Sequence, residues 1–431
     1  MQFDKILETY SNEIIEKLRN TIAIKSAYIE DESPFPYGKD VHDCLEYVLN
    51  LAREMGFKTC DVDGYVGWCE HGTGEEMIAV VTHLDTVPVG DGWTVAPYAG
   101  EIKDGKIYGR GVQDDKGAAI MSLFALKAIK ESGVELNRRI RLIFGCGEEI
   151  GADDMSYYVK NGGEIPVYGI TPDGEYPLIN GEKGLVTEYY HAAYDAAIRE
   201  IFGGNAANIV PDYAYALLDN NEKIEATGKS SHGANPENGV NAIGALLIKL
   251  NELELKGKEK EAIAFLSEKI GMEYDGSGFD IKMEDEVSGP LTFNLGQIRG
   301  DKDGLTVAVN YRYPVTKNFE DCVPQVRKCF EEAGFELTKA DVMDKLYVSA
   351  DTALVKKLVG IYNEYTGQSL QAKSIGGGTY AKCLPNTLAY GIIFPDDEVT
   401  EHERDERIRI DHLMDAANIT ASAIYSMCNE L

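Results

Sequence analysis

The 431-residue sequence has no apolar run long enough to cross a membrane, and its first segment lacks the apolar centre of a secretory signal. Basic residues are also scarce, because 42 lysines and arginines stand against 72 aspartates and glutamates, which leaves a formal net charge of −30. Such a surface repels phosphate backbones and anionic lipid headgroups. We therefore expect no nucleic-acid partner and no membrane partner.

The eight cysteines are scattered and form neither a CxxC pair nor the dense spacing of a disulfide framework. We therefore expect reduced, mostly buried thiols and a cytoplasmic protein. A chain of this length is too long for one compact core, so we expect two domains, or one large domain that carries an insertion.

Short apolar runs alternate with helical patterns in the first part of the chain and again near its end. Residues 77–85 and 166–173 have the composition of strands, while residues 116–132 have helical periodicity. This alternation predicts βαβ units, and hence an α/β domain with a mostly parallel sheet and helices on both faces. We predict that this domain comprises residues 1–184 and 346–431.

Residues 185–345 have a different texture, in which β-rich runs dominate. They contain two weakly similar halves, each with strands around a helical pattern. We predict an α+β domain that interrupts the first domain, and the two halves suggest that it is internally duplicated.

One strand is predicted to end in the sequence Thr-His-Leu-Asp, which places His83 two residues before Asp85. Residues two apart in a strand point to the same side, so Asp85 can accept a hydrogen bond from one imidazole nitrogen while the other faces a metal ion. Taken alone, this pattern is more often a polar strand end that merely enters a turn.

Other acidic and imidazole side chains also follow predicted strands or precede a helix. Glu148, Glu149 and Asp173 come after two further strands, His402 follows the last one, and Asp114 lies just before a helix whose dipole favours a carboxylate. The carboxyl ends of strands in an open α/β sheet converge on a ligand crevice. Imidazoles and carboxylates without cysteine suit two divalent metal ions bridged by one carboxylate, and such a centre indicates hydrolysis.

These motifs, in this order, resemble the M20 family of co-catalytic metallopeptidases. The pattern H-x-D, G-R-G-x-x-D-x-K-G, G-x-x-E-E-x-G, a later aspartate and a distal histidine spans residues 83 to 402. The resemblance implies two divalent ions, zinc by ligand type with manganese or cobalt as alternatives. It implies five metal ligands: His83 and Asp173 on one ion, Glu149 and His402 on the other, and Asp114 bridging both.

The same resemblance implies catalytic roles for two further acids in the first domain. Glu148 matches the general base, and Asp85 matches the residue that orients His83. It also implies a cis peptide bond between Asp114 and Asp115.

In the inserted segment, which corresponds to the family's lid domain, the resemblance implies substrate contacts. His232 in GKSSHGANPENG matches a histidine that polarises the scissile carbonyl, and Asn208 in GGNAANIVPDYA matches a substrate contact. Arg312 in VNYRYP matches an arginine that binds the substrate carboxylate, although an arginine on a strand surface is an equally good explanation.

The glycines of SIGGGTYAK follow the lid segment in the sequence. Gly376, Gly377 and Gly378 let a substrate approach the chain closely and offer backbone amides to the same carboxylate. A tight turn before a helix is the alternative explanation for this run of glycines.

Within the family, the glycine loop, the NIVPDYA motif and the two-part lid most resemble the PepV-type dipeptidases. This branch implies hydrolysis of short peptides by a hydroxide held between two metal ions, with a glutamate as general base. It also implies a monomer, since a duplicated lid supplies His232 from the same chain. Two alternatives stay open: an N-acyl amino acid deacylase or desuccinylase of the same family, and a noncatalytic peptide-binding relative.

Overall fold

The computed structural model describes residues 3–194 and 198–431. The α-helices, in chain order, are α1 Asp4–Thr9, α2 Ser11–Ile22, α3 Lys39–Glu54, α4 Lys116–Ser132, α5 Asp153–Lys160, α6 Ala242–Asn251, α7 Gly257–Lys269, α8 Val323–Glu332, α9 Ala353–Thr366 and α10 Ile410–Asn429.

The β-strands, in chain order, are β1 Lys58–Val62, β2 Val66–His71, β3 Met77–His83, β4 Glu101–Lys103, β5 Lys106–Tyr108, β6 Arg139–Gly145, β7 Tyr168–Thr171, β8 Ile179–Glu182, β9 Gly184–Ala193, β10 Ile198–Gly203, β11 Ile209–Val210, β12 Tyr213–Leu218, β13 Lys223–Thr227, β14 Ser231–His232, β15 Glu284–Asp285, β16 Gly289–Pro290, β17 Thr292–Asp301, β18 Gly304–Tyr313, β19 Glu336–Met343, β20 Leu346–Tyr347, β21 Lys373–Ile375, β22 Thr387–Ala389 and β23 Arg407–Arg409.

The chain forms two compact units, each assembled from segments that are separate in sequence. The first unit consists of residues 1–180, 348–373 and 379–431, and the second consists of residues 181–347 and 374–378.

These ranges differ from the predicted 1–184 with 346–431 and 185–345 chiefly at residues 374–378. This short segment groups with the second unit because the Ile375 carbonyl accepts a hydrogen bond from the Lys183 amide and the Gly376 carbonyl accepts one from Arg312. Residues 195–197, and residues 1–2 at the start of the first range, lie outside the described residues.

The first unit contains a mixed sheet whose central strands are parallel. In the order β1, β2, β6, β3, β7, β22, β8, the four strands from β6 to β22 pair in parallel, while the strands on either side pair antiparallel. The predicted α/β fold is therefore confirmed, with its parallel pairing in the middle of the sheet. His83 lies opposite Gly145, and Ala389 lies opposite Thr171, so these strands end along one edge.

Helices cover the sheet of the first unit because its central strands are apolar on both faces. Met77, Ala79 and Val81 pack with Met155 and Tyr158 from α5. The alternation of side chains leaves the other buried residues of β3 for the opposite face, and α4 and α10 both contact β3 and β6. This packing fixes the strand ends on which the predicted metal ligands stand.

The second unit is built on a seven-stranded antiparallel sheet. Its strand order is β13, β12, β10, β17, β18, β9, β19. Burial alternates strictly along β9, as expected when one face packs on a core and the other is more open. The helices α6, α7 and α8 supply residues to this core. One continuous sheet carries both predicted halves, and the proposed duplication stays a prediction.

Candidate active site

His83 is the last residue of β3 and is completely buried. Its Nε2 atom lies 2.8 Å from Oδ1 of Asp114 and 3.9 Å from Oδ2 of Asp173. Its Nδ1 atom lies 3.0 Å from the carbonyl oxygen of Asp85 and 3.3 Å from the Asp85 carboxylate. One ring nitrogen therefore faces the acidic cluster, and the other is oriented by Asp85, largely through its main chain.

Asp114 lies between two histidines that are far apart in sequence. Its Oδ1 atom faces His83, and its Oδ2 atom lies 2.8 Å from Nε2 of His402. The Asp114–Asp115 peptide bond is cis, as the resemblance implies, and Oδ2 of Asp115 accepts a hydrogen bond from the His83 amide at 3.1 Å. Each carboxylate oxygen of Asp114 thus serves a different imidazole, which is the arrangement that a bridging ligand needs.

His402 and Glu149 complete the second side of this cluster. Nε2 of His402 lies 3.2 Å from Oε2 of Glu149, while 53% of the His402 side chain is exposed. Potential ligand atoms of His83, Asp114 and Glu149 all lie within 4.8 Å of one another. The structure therefore brings all five predicted metal ligands together in the first unit, with Asp173 reaching the cluster through its 3.9 Å approach to His83.

The electrostatics of this cluster fit divalent cations. Burial raises the pKa of Glu149, and burial together with the charges of Asp114 and Asp173 raises the pKa of Glu401 to about 8. Burial alone lowers the pKa of His402, but hydrogen bonds to Asp114 and Glu149 outweigh it and raise the pKa to about 11. Protons and divalent cations can therefore both offset the negative charge that these carboxylates bring together. Its imidazole and carboxylate donors are those that zinc, manganese and cobalt accept.

Asp85 also fixes the turn that carries the two glutamates. Its carboxylate accepts a hydrogen bond from the Glu149 amide at 3.0 Å and from the Glu148 amide at 3.3 Å. This turn is a short 3-10 helix, Glu148–Ile150, that begins three residues after β6 ends. Asp85 therefore positions His83 and the glutamate turn at the same time.

The Glu148 side chain differs from its neighbours because it accepts no hydrogen bond from any described residue. Burial raises its pKa well above the ordinary value, and the charges of Asp173, Glu149 and Asp114 raise it further. A carboxylate in such surroundings has gained affinity for protons, which is the property that a general base of a hydrolase needs.

Two residues that hold this turn in place, Asp154 and Tyr380, were not predicted from the sequence. Asp154 is buried, and one of its oxygens accepts hydrogen bonds from the Cys146 amide at 2.8 Å, from the Gly147 amide at 3.0 Å and from the hydroxyl of Tyr380. The ring of Tyr380 also stands edge-on to the imidazole of His83, with 6.1 Å between the ring centres. Tyr380 lies within the motif SIGGGTYAK, two residues after Gly378, but no local pattern connects it with Asp154.

In the second unit, the residues predicted to contact substrate lie next to one another. The carbonyl of Asn208 accepts a hydrogen bond from the Gly233 amide at 2.7 Å. The next residue, Ile209 in β11, pairs with His232 in β14. The amide of Ala234 lies 3.4 Å from Nδ1 of His232, and a Cβ atom on Gly376 would lie 3.0 Å from the Cβ of Ala234. Asn208, His232 and the first glycine of the predicted loop are thus close together.

Arg312 extends the same group. Its Nη1 atom donates to the carbonyl of Gly376 at 2.7 Å, and its Nε atom lies 3.4 Å from Oδ1 of Asn310. The loop therefore presents a carbonyl, not an amide, to the guanidinium, and Gly377 and Gly378 follow it half-buried. Arg312 is only 2% exposed and pairs with no carboxylate of the described residues, and burial lowers its pKa to about 10.

Comparison with known proteins agrees with this geometry. The sequence pattern of Peptidase family M20/M25/M40 matches residues 79–426, which include all five predicted metal ligands. The chain belongs to this peptidase family. Its members' pattern begins inside β3 and ends within α10, so it covers both units.

Individual relatives within the M20/M25/M40 family extend along nearly the whole chain. "Putative dipeptidase YtjP" of Bacillus subtilis is 35% identical over 430 residues, covering 91% of this chain and 92% of the relative. "Putative dipeptidase" of Staphylococcus epidermidis is 34% identical and covers 99% of each chain. The crystal structure of human carnosine dipeptidase 1 has a TM-score of 0.65 at 14% identity, covers 99% of this chain and 98% of that chain, and supports the fold alone.

The structure also bears on the predicted relation to membranes. Among residues 3–194 and 198–431, no helix is both long and apolar enough to span a membrane.

Proposed function

We propose that this M20/M25/M40 peptidase is a metal-dependent dipeptidase that hydrolyses short peptides with a free C-terminal carboxylate. The observation that carries the proposal is Asp114, whose two carboxylate oxygens each lie 2.8 Å from a different imidazole. The curated relatives named as dipeptidases support the choice of substrate class.

The proposed centre holds two divalent ions. His83 and Asp173 would hold one ion, Glu149 and His402 would hold the other, and Asp114 would be a ligand of both. Bound there, such ions would supply Lewis-acid chemistry, which polarises a carbonyl group and lowers the pKa of bound water. Zinc is our proposal for the ion, with manganese and cobalt as the alternatives that the same donors accept.

The protein residues move and hold the proton in this reaction. Glu148 takes a proton from the attacking water and passes it to the leaving amine, because its pKa is raised and its carboxylate is engaged by no other described side chain. Asp85 keeps His83 in the orientation that turns Nε2 towards Asp114. The turn that carries Glu148 depends on the same Asp85 carboxylate.

The second unit supplies the proposed recognition of substrate. Arg312 carries a buried positive charge that no described carboxylate offsets, which favours an anionic ligand group such as the free carboxylate of a peptide. We propose that His232 donates to the oxygen of the scissile carbonyl and that Asn208 and the glycines 376–378 contact the rest of the peptide. We also propose that the active form is a monomer, which sedimentation of the metal-loaded protein tests.

The decisive experiment is a substrate panel on metal-free protein reloaded with zinc, manganese or cobalt. The panel contains dipeptides, tripeptides, and N-acetyl and N-succinyl amino acids. The proposal expects the highest kcat/KM for dipeptides. Preference for the acyl amino acids would instead identify a deacylase of the same family, and peptide binding without turnover by any metal form would identify a noncatalytic relative.

A further inference from the structure

Two loops of the first unit carry the proposed metal ligands Asp114 and His402. We call residues 109–114 the aspartate loop and residues 398–407 the histidine loop. The loops are almost 300 residues apart in sequence, so the positions of Asp114 and His402 depend on what joins the loops in the fold. The side chain at the junction is Glu406, which is completely buried.

The Glu406 carboxylate accepts four hydrogen bonds, all from the aspartate loop. Oε2 accepts from Nη1 of Arg110 at 2.7 Å and from the Gly111 amide at 2.9 Å. Oε1 accepts from the Gln113 amide at 2.8 Å and from the Asp114 amide at 3.2 Å. Because all four partners are donors, the site requires acceptors at both oxygens.

Two side chains of the aspartate loop reach back to the histidine loop. Nη2 of Arg110 lies 3.3 Å from the carbonyl of His402 itself. The Gln113 amide group donates to the carbonyl of Glu398 at 3.1 Å and accepts from the amide of Thr400 at 2.7 Å. The loops are therefore joined by hydrogen bonds in both directions, with Glu406 at the centre.

The backbone of the histidine loop requires such support. His402 has a φ of +62° and Asp405 a φ of +55°, in the left-handed region that residues other than glycine seldom adopt. The His402 imidazole is also half exposed, so packing of the side chain does not fix it. The contacts of Arg110, Gln113 and Glu406 are those that hold this segment in place.

We propose that Glu406 is a positioning residue of the metal centre, which sets the distance between Asp114 and His402 by binding the aspartate loop to the histidine loop. The proposal rests on the proposed two-ion function. It predicts an asymmetry, because His402 and Glu149 belong to one ion only. Loss of Glu406 affects that ion more than the ion held by His83 and Asp173.

Glu406→Gln tests this with little change in volume. Whichever way the amide turns, one oxygen becomes an NH2 group that faces two donors, so two of the four hydrogen bonds are lost. Metal-free full-length protein is titrated with Co²⁺, whose visible absorption reports each occupied site, at a temperature well below the melting transition of every variant. We expect the weakened site to lose about 10- to 100-fold in affinity, the usual effect of removing a residue that supports a metal ligand.

Two reference variants make the result specific. His402→Asn identifies which of the two Co²⁺ sites depends on the histidine loop. Glu403→Gln makes the same chemical change at an exposed glutamate of that loop, and we expect wild-type affinity at both sites. In hydrogen exchange, peptides from both loops exchange faster in Glu406→Gln and not in Glu403→Gln.

If Glu406→Gln does not fold, Gln113→Leu takes its place, since it removes the reciprocal bonds to Glu398 and Thr400 and predicts the same site-selective loss. Equal affinity of folded Glu406→Gln and wild type at both sites overturns the positioning role. A wild-type protein that binds fewer than two Co²⁺ ions instead overturns the two-ion function, so the two failures are distinguishable.

Discussion

Both units bury carboxylates, but they balance the negative charge in opposite ways. The proposed metal-ligand cluster of the first unit is formed by His83, Asp114, Glu149, Asp173 and His402 with the neighbouring Glu148 and Glu401, and the Glu188 cluster of the second unit is formed by Glu188 with Tyr190, Tyr311 and Arg327. Glu188 is fully buried and accepts hydrogen bonds from the hydroxyl of Tyr190 at 2.7 Å, the hydroxyl of Tyr311 at 2.8 Å and Nε of Arg327 at 2.6 Å. All three groups donate to the Glu188 carboxylate, so its negative charge is compensated within the second unit.

In the metal-ligand cluster, acids lie beside other acids. The charges of Asp173, Glu149 and Asp114 add to burial in raising the pKa of Glu148, and the charge of Asp114 does the same for Glu149 and Glu401. From this difference we propose that the Glu188 cluster stabilises the fold, whereas the negative charge of the proposed metal-ligand cluster is available to cations and protons from outside. Substitutions in the two units should therefore separate stability from activity.

Glu148→Gln should have the largest effect, and it should fall on activity alone. The amide cannot accept a proton from water, so we expect kcat to drop by roughly 10²- to 10⁴-fold. Removing a buried negative charge that has no hydrogen-bond partner should leave the melting temperature unchanged or raise it. Turnover assays and calorimetry check these two expectations, and elemental analysis shows whether the variant still binds metal. A variant with wild-type kcat contradicts the assignment of the base, and one without metal shows a role in binding instead.

Glu188→Ala should give the reverse result. It leaves the hydroxyls of Tyr190 and Tyr311 without their acceptor in the core and removes the partner of Arg327. We expect a loss of about 2–5 kcal/mol in the free energy of unfolding, because two buried hydroxyls lose their acceptor at a cost of about 1–3 kcal/mol each, while Arg327, which is 37% exposed, keeps its contact with water. Urea denaturation measures this loss, while kcat of the folded protein at low temperature stays at the wild-type value.

The exposed Glu336, on the edge strand β19 of the same sheet, provides the control for this substitution. Glu336→Ala should change the free energy of unfolding by less than about 0.5 kcal/mol. If both variants lose equally little stability, Glu188 is not the stabilising group that its contacts indicate.

The parts of this comparison that were predictable from sequence are those that depend on local pattern. The apolar runs that form β3, β6 and β7 locate strand ends, and strand ends locate ligands such as His83 and Asp173. Arg110, Asp154 and Glu406 were not predictable, because their partners lie at positions that no periodicity relates to them. Residues 374–378, predicted as part of the first domain, group with the second unit for the same reason, since only the bonds from Lys183 and Arg312 place them there.

Arg312→Met extends the comparison to a buried cation without a counter-charge. If Arg312 binds the substrate carboxylate, its loss removes charge-assisted hydrogen bonds worth about 1.5–3 kcal/mol, which lowers kcat/KM roughly 10- to 150-fold. The effect should disappear for peptides whose C-terminus is an amide. Stability should change little, since the substitution loses the hydrogen bond to the Gly376 carbonyl but also removes a charge that burial disfavours and that no described carboxylate offsets.

Arg299→Met is the matched control for this prediction. Arg299 lies in β17 of the same sheet and donates to the carbonyls of Gly203 and Gly204. Its replacement should leave the ratio of kcat/KM between free and amidated peptides at the wild-type value. An equal shift of this ratio in both variants contradicts specific recognition by Arg312.

The smallest expected effect is a pH dependence of the melting temperature of the metal-free protein, which arises in the proposed metal-ligand cluster. The pKa of His402 in the folded state, about 11, lies above its ordinary value of 6.5 because of Asp114 and Glu149. A raised pKa means that the protonated imidazole stabilises the fold fully below pH 6.5 and progressively less as the pH rises towards 11. In chelator, the melting temperature of wild type should therefore fall between pH 6.5 and 9 relative to that of His402→Asn. With metal ions present the sign reverses, since ions compete with protons for the imidazole and bind more tightly as the pH rises. Calorimetry of both proteins in both conditions measures these differences in melting temperature. Parallel pH profiles of the two proteins in chelator would show that the pKa of His402 is not raised by its contacts with Asp114 and Glu149.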